Sequence, residues 1–465
     1  MGGHSNISIE EVDEKLKLGS PPSKVPAIIA WIVVIFFWVS GTGIAIYYII
    51  LNFNLVVSIL ALLGVGIQAI SNYSSLIITY VLIMLAVVLA AIIFLLLMIR
   101  KFAREVLLII ILLAIGFYFV LGVIMLLVRS IAGVLPIVIG GVLLLIFLKY
   151  RRRISLLGSL MELSANTIIQ EKGTISANII ASILGSYTFV TVSITSFFIY
   201  NYVAKFNLPD WIDVLIGFAV FLLGLWATTF IVTLFNATIV GITHDWYRSP
   251  HVDVASFRKG LKRALTVQGG IAVYAFVMSV LRVLIEYAKQ RGGIARGIVV
   301  AILRITEEIV RFLTFYIIPA MVIRVVGFKD GLKDSVHKLR DLLIETIVTR
   351  FAFGFVMFVF AFIYTIVLGA IGYVIGAYII TPIFLAGISP VLVGVVSGVI
   401  YMIVGIVPAS IIFSTLSVVL TTLIYEFGLD IEFAQKGETL PRRLPREVET
   451  EFLKILEERG LKVQL

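Results

Sequence analysis

The chain has 465 residues, of which 61% are hydrophobic and only 14% charged, with a formal net charge of +10 and a mean hydropathy of +1.12. Soluble domains carry roughly 25% charged residues, so a soluble globular fold is excluded. The absence of cysteine excludes disulfides, thiolate catalysis, iron–sulfur clusters and Cys-based zinc sites. The excess of Lys and Arg fits the inner loops of a membrane protein better than a nucleic-acid surface.

Residues 1–26 are polar and of mixed charge, without the short basic start and brief apolar run of a cleaved signal, and predict a cytoplasmic lead-in. Apolar runs of about 20 residues then recur, each long enough to cross a hydrocarbon core of roughly 30 Å. Backbone groups in hydrocarbon must pair internally and the runs do not alternate in polarity, so helices rather than barrel strands are expected. Expected crossings cover 27–51, 77–99, 106–128, 131–149, 177–203, 211–243, 265–288, 309–326, 345–374 and 397–427. The basic stretches "RKFAR" (100–104) and "KYRRR" (149–153), the 248–263 loop, the 324–350 region and the tail carry most of the positive charge, whereas 51–76 and 376–400 carry none. With basic loops inside, 53–71 and 379–395 become short outer-side or re-entrant segments.

The expected fold is therefore all-α: a polytopic membrane bundle of about ten transmembrane helices within 27–427, both termini cytoplasmic. Residues 151–172 show helical apolar spacing between polar ends and predict an interfacial helix. Residues 244–264 read as a cytoplasmic loop. The stretch 289–304 holds four basic residues; it is either an amphipathic helix running into the next span or a place where the inside–outside count fails. The tail, 428–465, places Val448, Phe452, Ile455 and Leu456 on one face of a short amphipathic helix.

Four short motifs stand at the ends of these segments. "GITHDWY" contains Gly241, Trp246 and Tyr247, and "RVLIEY" contains Arg282, Glu286 and Tyr287. "RRRISLLGSLMELS" ends in Glu162 and Ser164, and "TLIYEFGLDIE" carries Thr422, Leu423, Phe427, Asp430 and Glu432. In this order and at these span lengths they resemble the choline transporter-like family (solute carrier family 44), from about residue 77 to the end. The resemblance implies a multi-span transporter of choline or a related lipid precursor. Departures are also visible. Only 52–76 occupies the place of the family's large extracellular domain, "TFYII" at 314–318 stands where the family has Asn-Arg-Asn-Ala-Tyr, and Thr421 replaces an Asp of the last span. Short loops and Ile/Val richness suit a prokaryotic source.

A quaternary ammonium is held by aromatic faces with a carboxylate nearby, each ring contributing roughly 0.5–2 kcal/mol. That chemistry selects Trp226, Tyr187 and Tyr274, all well inside their spans, with Arg282 and Glu286 spaced i, i+4 on one face. Mid-span aromatics also pack helices, and Arg282 with Glu286 also suits a snorkelling pair at a span end. Asn236, Thr228, Thr229 and Thr233 add polar groups along the helix of Trp226. Gly394 and Gly398 form a small-xxx-small pair that predicts close helix contact, and Pro382, Pro390 and Pro408 offer hinges.

Enzyme readings find little support. His244 and His251, near Asp245 and Asp253, lack the i, i+4 spacing of a helical zinc motif, and Pro250 breaks the stretch. No Gly-rich phosphate loop and no Ser-His-Asp arrangement occurs, so no metal, cofactor or ATP-driven cycle is expected. Two functions remain open: a facilitated transporter of a small organic cation, and a non-transporting pore or lipid-organising scaffold. The expected partners are membrane lipids and a small cationic substrate, not nucleic acid; a homo-oligomer is compatible with both.

Overall fold

The computed structural model describes residues 9–51, 74–128, 131–206, 209–249, 255–290, 294–348, 353–384, 389–438, 440–445 and 448–450, with 453, 454 and 457. The described residues are helical and contain no strand. In chain order they form α1 (Ile9–Leu16), α2 (Val25–Leu51), α3 (Ser74–Leu127), α4 (Val134–Gln170), α5 (Lys172–Val203), α6 (Asp210–Arg248) and α7 (Phe257–Thr266). Then follow α8 (Gln268–Gln290), α9 (Ile294–Leu313), α10 (Ile317–Arg324), α11 (Phe328–Asp341), α12 (Leu343–Val348), α13 (Gly354–Val374), a π-helical turn (Ile375–Ile380), α14 (Thr381–Phe384) and α15 (Pro390–Gln435).

Among the described residues, seven helices are long and apolar enough to cross a membrane, or up to nine if two bent pairs each make one span. The expected all-α bundle of membrane-crossing helices is present, and among the described residues it is divided into seven to nine candidate spans where the apolar runs suggest about ten. The difference arises chiefly at "RKFAR", which does not separate two spans: α3 runs through it for 54 residues, about 80 Å at 1.5 Å per residue. Arg, Lys, Phe, Ala and Glu all tolerate the helix, and neither Gly nor Pro is present to end it. At "KYRRR" the chain does turn, because Val134–Lys149 and Ile154–Gln170 meet at 76°. The second arm, the helix expected at the membrane face, packs against protein on all sides: Leu156, Leu157, Leu160, Met161, Leu163, Ala165 and Ile168 are all buried. The short span expected at 309–326 is divided at residues 314–316 between α9 and α10, and the chain turns by 119° before α11. Residues 53–71 and Phe452, Ile455 and Leu456 lie outside the described residues.

Packing follows the logic of a lipid solvent. Along α5 the buried residues are Thr174, Ala177, Asn178, Ala181, Gly185, Thr188, Thr191, Val192 and Thr195, a helical stripe that apart from Val192 is of small and polar side chains. Ile183, Phe189, Val190 and Phe197 point outward. Lipid tails are as apolar as Leu, so large apolar side chains lose nothing facing them, while small residues let helix backbones approach. The pair α13 and α15 shows how close. A Cβ on Gly398 would stand 2.9 Å from the Gly369 carbonyl oxygen, and one on Gly376 would stand 2.6 Å from the Ser397 side chain. Pro408 sits inside α15, which continues through it for 46 residues without ending.

Gly398→Leu is therefore expected to cost about 1–3 kcal/mol through overpacking against main-chain atoms, read as a lowered thermal midpoint in detergent. Gly116→Ala, where a Cβ meets nothing within 4 Å, is expected to be neutral or stabilising. Equal midpoints for Gly398→Leu and wild type would contradict the close α13–α15 contact.

Candidate functional site

His244 and Arg248 lie i, i+4 near the end of α6; Glu426 and Asp430 lie i, i+4 near the end of α15. Each spacing places its two residues on one helix face, and the structure sets the two faces against each other. Arg248 Nε and Nη2 donate to Glu426 Oε2 at 2.8 and 2.5 Å, and Nη1 donates to Asp430 Oδ1 at 2.5 Å. The Arg248 and Glu426 side chains are fully buried. Tyr247 donates its hydroxyl to the other oxygen of Asp430 at 2.7 Å, and the Arg248 guanidinium lies 4.9 Å from the Tyr247 ring centroid.

His244 extends this lattice to the N-terminus. Its Nδ1 meets Glu426 Oε1, and its Nε2 lies 3.1 Å from Asp13 Oδ1 on α1. An imidazole protonated on both nitrogens can donate to the two carboxylates at once. Arg263 of α7 donates to Asp13 Oδ2 at 2.5 Å. It also stands 2.8 Å from Asp245 Oδ1, an ion pair off the hydrogen-bond direction. Helix α7 comes this close because Gly260 meets Gly241: a Cβ on Gly241 would stand 2.9 Å from the Gly260 Cα. Ser256 caps α7, accepting from the Lys259 amide at 3.3 Å.

A second set of contacts holds the other side of α15. Lys338 Nζ donates to Glu432 Oε2 at 2.6 Å and to the Gly428 carbonyl at 2.9 Å; Arg324 also bonds Glu432. Tyr425 donates to Asp334 of α11. The tail closes over the end of α6, with the Arg443 amide bonding the Tyr247 carbonyl at 2.8 Å and its guanidinium 5.2 Å from the Trp246 ring. Trp246 itself donates to Gln170 of α4 at 3.0 Å. One end of α15 is thus clasped by α4, α6, α10 and α11, with α1, α7 and the tail held to it through α6.

Residues 244–264, read from sequence as one loop, contain two helical stretches. Gly241–Arg248 are the last turns of α6 and are buried, and Phe257–Thr266 is a helix; His251 and Asp253 lie outside the described residues. Polar residues after an apolar run read as a surface exit only while their partners are unknown. Of the motif residues, Gly241, Trp246, Tyr247 and Asp430 come together here. Asp13, Glu426, Arg248 and Arg263 were not singled out from sequence. The signal that finds Arg248 and Glu426 is the matched pair of i, i+4 charges at the ends of two long apolar helices; Asp13 and Arg263 carry no such signal.

The other sequence-selected residues are spread over α5, α6 and α8. Trp226 is buried, donates to the Ala272 carbonyl at 2.9 Å and meets Phe276 edge-on at 5.2 Å between centroids. Tyr274 is partly buried on α8. Tyr187 lies on α5, sharing a 2.6 Å hydrogen bond with Thr42 and standing 5.5 Å from Trp38. Arg282 and Glu286 occupy exposed positions of α8, and Tyr287 follows in the same helix.

Arg248→Met leaves Glu426 and Asp430 buried without their cation and is expected to cost about 3–5 kcal/mol, measured by thermal unfolding. Adding Glu426→Gln and Asp430→Asn is expected to restore part of the loss; an unchanged midpoint for Arg248→Met would contradict the buried lattice. A second expectation concerns pH. Burial raises the Asp13 carboxyl, but the His244 hydrogen bond and the Arg263 guanidinium outweigh it and hold the carboxyl below the usual carboxylate range. A lowered folded pKa stabilises docking above the unfolded pKa and loses that stabilisation as pH falls through the folded value. Amide-exchange protection of Ile9–Leu16 is expected to be full above about pH 4 and to fade below it. Asp13→Asn should abolish this dependence; a pH-independent wild type would refute it.

The family model for plasma-membrane choline transporters matches residues 134–432, from the start of α4 almost to the end of α15. No curated protein matches the chain. The matched region contains Trp246, Tyr247, Arg248, Glu426 and Asp430, so the lattice joins two distant parts of the family's own domain. The chain is a multi-pass membrane protein and belongs to the plasma-membrane choline transporter family.

Proposed function

We propose that the chain carries a small organic cation of the choline or ethanolamine class across the membrane by facilitated movement, without ATP and without covalent chemistry of its own. Family membership supports the transporter reading. The absence of a nucleotide-binding loop from the sequence fits an uncoupled process.

The observation that carries the mechanism is the complete burial of Arg248 with Glu426 at the joint between α6 and α15. Desolvating two such ions costs several kcal/mol each, and apolar residues of the same volume often stabilise a fold equally well or better. A static bundle gains little from such a joint. A face that opens and closes gains a contact with two discrete states, paired and dry or separated and hydrated. In this reading α6 and α15 part at the lattice to admit or release solute.

The path would run along α6. Asn236, two turns before His244, has a buried Oδ1 that meets no hydrogen-bond donor among the described residues, an acceptor suited to the hydroxyl of an amino alcohol. Trp226 and Tyr274 supply aromatic faces on neighbouring helices. Glu286, Arg282 and Tyr187 are proposed as contacts nearer the ends of the path.

Purified chain in proteoliposomes is expected to take up radiolabelled choline saturably, with none entering empty vesicles. Trp226→Ala or Asn236→Ala is expected to weaken uptake about ten-fold, the size of one lost ring or hydrogen-bond contact. Equal signals from wild-type and empty vesicles would overturn the proposal in favour of a non-transporting scaffold.

A further inference from the structure

The end of α6 away from the lattice carries a second feature. Asp213 is 35 positions before Arg248, about 50 Å along the helix. It lines a pocket of about 100 Å³ between α5 and α6, with Ser196, Tyr200, Gly217, Val220 and Phe221 among the other walls. Asp213 Oδ1 is buried and meets no hydrogen-bond donor among the described residues. A buried carboxylate oxygen left without a donor is costly, so a group that brings positive charge to it binds with that cost relieved.

The walls limit what that group is. Apart from Asp213, oxygen atoms come only from the Ser196 and Tyr200 side chains and the backbone, and the other side chains are aliphatic or aromatic. A hard metal ion needs six or more oxygens or a retained water shell. A cation that wraps its charge in methyl groups instead matches apolar walls, the Tyr200 and Phe221 rings and one carboxylate. The position adds a second constraint. Tyr200, Tyr202, Phe206 and Trp211 are all exposed around the turn between α5 and α6. Such a belt of aromatic residues marks the level of the lipid headgroups, and Asp213 follows Trp211 by two residues.

We propose that this pocket is a binding site for an alkylammonium group at the membrane interface, with Asp213 as counter-ion and Tyr200 and Phe221 as flanking rings. The site stands apart from the lattice and does not depend on whether the chain moves a solute. The ammonium group is presented either by a phospholipid headgroup or by a free cation.

The test uses full-length protein in a non-ionic detergent, heated with tetramethylammonium chloride or with sodium chloride at equal ionic strength. A ligand that binds the folded state raises its apparent stability. Wild type is expected to show saturable stabilisation by tetramethylammonium alone. Asp213→Asn should shift the half-saturating concentration up by about ten-fold or more. Gly217→Leu should abolish the effect, because a side chain there meets no protein atom within 4 Å of its Cβ and enters the pocket. The two variants act differently, so a folding defect in one leaves the other as the test. No saturable effect on wild type, or wild-type responses from a folded variant, would overturn the proposal. Nanodiscs separate the two sources. If the tetramethylammonium effect survives in phosphatidylglycerol but vanishes in phosphatidylcholine, the headgroup is the occupant. Equal effects in both assign the site to a free cation.

Discussion

The pairing of Arg248 with Glu426 and Asp430 constrains almost everything around it. Three charges cannot be taken out of water unless every donor and acceptor finds a partner. The guanidinium accordingly spends its hydrogen bonds on both carboxylates and on the Glu426 and Pro441 carbonyls. Glu426 gives its remaining oxygen to His244, and Asp430 gives its own to Tyr247. His244 in turn needs Asp13, so a short N-terminal helix is recruited with Val12 and Leu16 fully buried beneath it. The same demand explains why residues 422–431 of α15 are all buried, whereas its first half shows one face to lipid.

Glycine and other small residues make this geometry reachable. Charged side chains can meet only if their helices stand close, and small residues set that approach. Gly41 against Thr191 holds α2 to α5, and Gly241 against Gly260 seats α7 on α6. Polar bridges such as Asn178 to the Ile411 carbonyl and Thr415 hydroxyl then fix α5 against α15. In hydrocarbon, close packing and internal hydrogen bonds replace the hydrophobic drive that holds a soluble core.

Much of the fold is readable in the sequence because apolar runs must match bilayer thickness. The runs at 27–51, 177–203 and 211–243 correspond to α2, α5 and most of α6. What misleads is polarity at helix ends. "RKFAR" is polar and still helical, since helix propensity and not hydropathy decides continuity there. "HDWYR" is polar and buried, since Glu426 and Asp430, nearly 180 positions away, make its burial affordable. No local window contains that fact. The motifs that resemble the transporter family include Trp246, Tyr247 and Asp430, which lie around the buried ion lattice, but nothing in their spacing reveals that the lattice is there. Trp226 illustrates the opposite case: an aromatic ring in mid-span is easily noticed, yet its indole N–H already serves the Ala272 carbonyl.

The proposed transport cycle requires the lattice between α6 and α15 to open and close. The chain has no cysteine, so spin labels placed at Lys259 and Lys436, both exposed beside the lattice, report on that joint alone. Pulsed dipolar distance measurements in liposomes should give two separations whose populations change when choline is added. A single narrow separation, the same with and without choline, would show the lattice to be a static clasp and would contradict the mechanism.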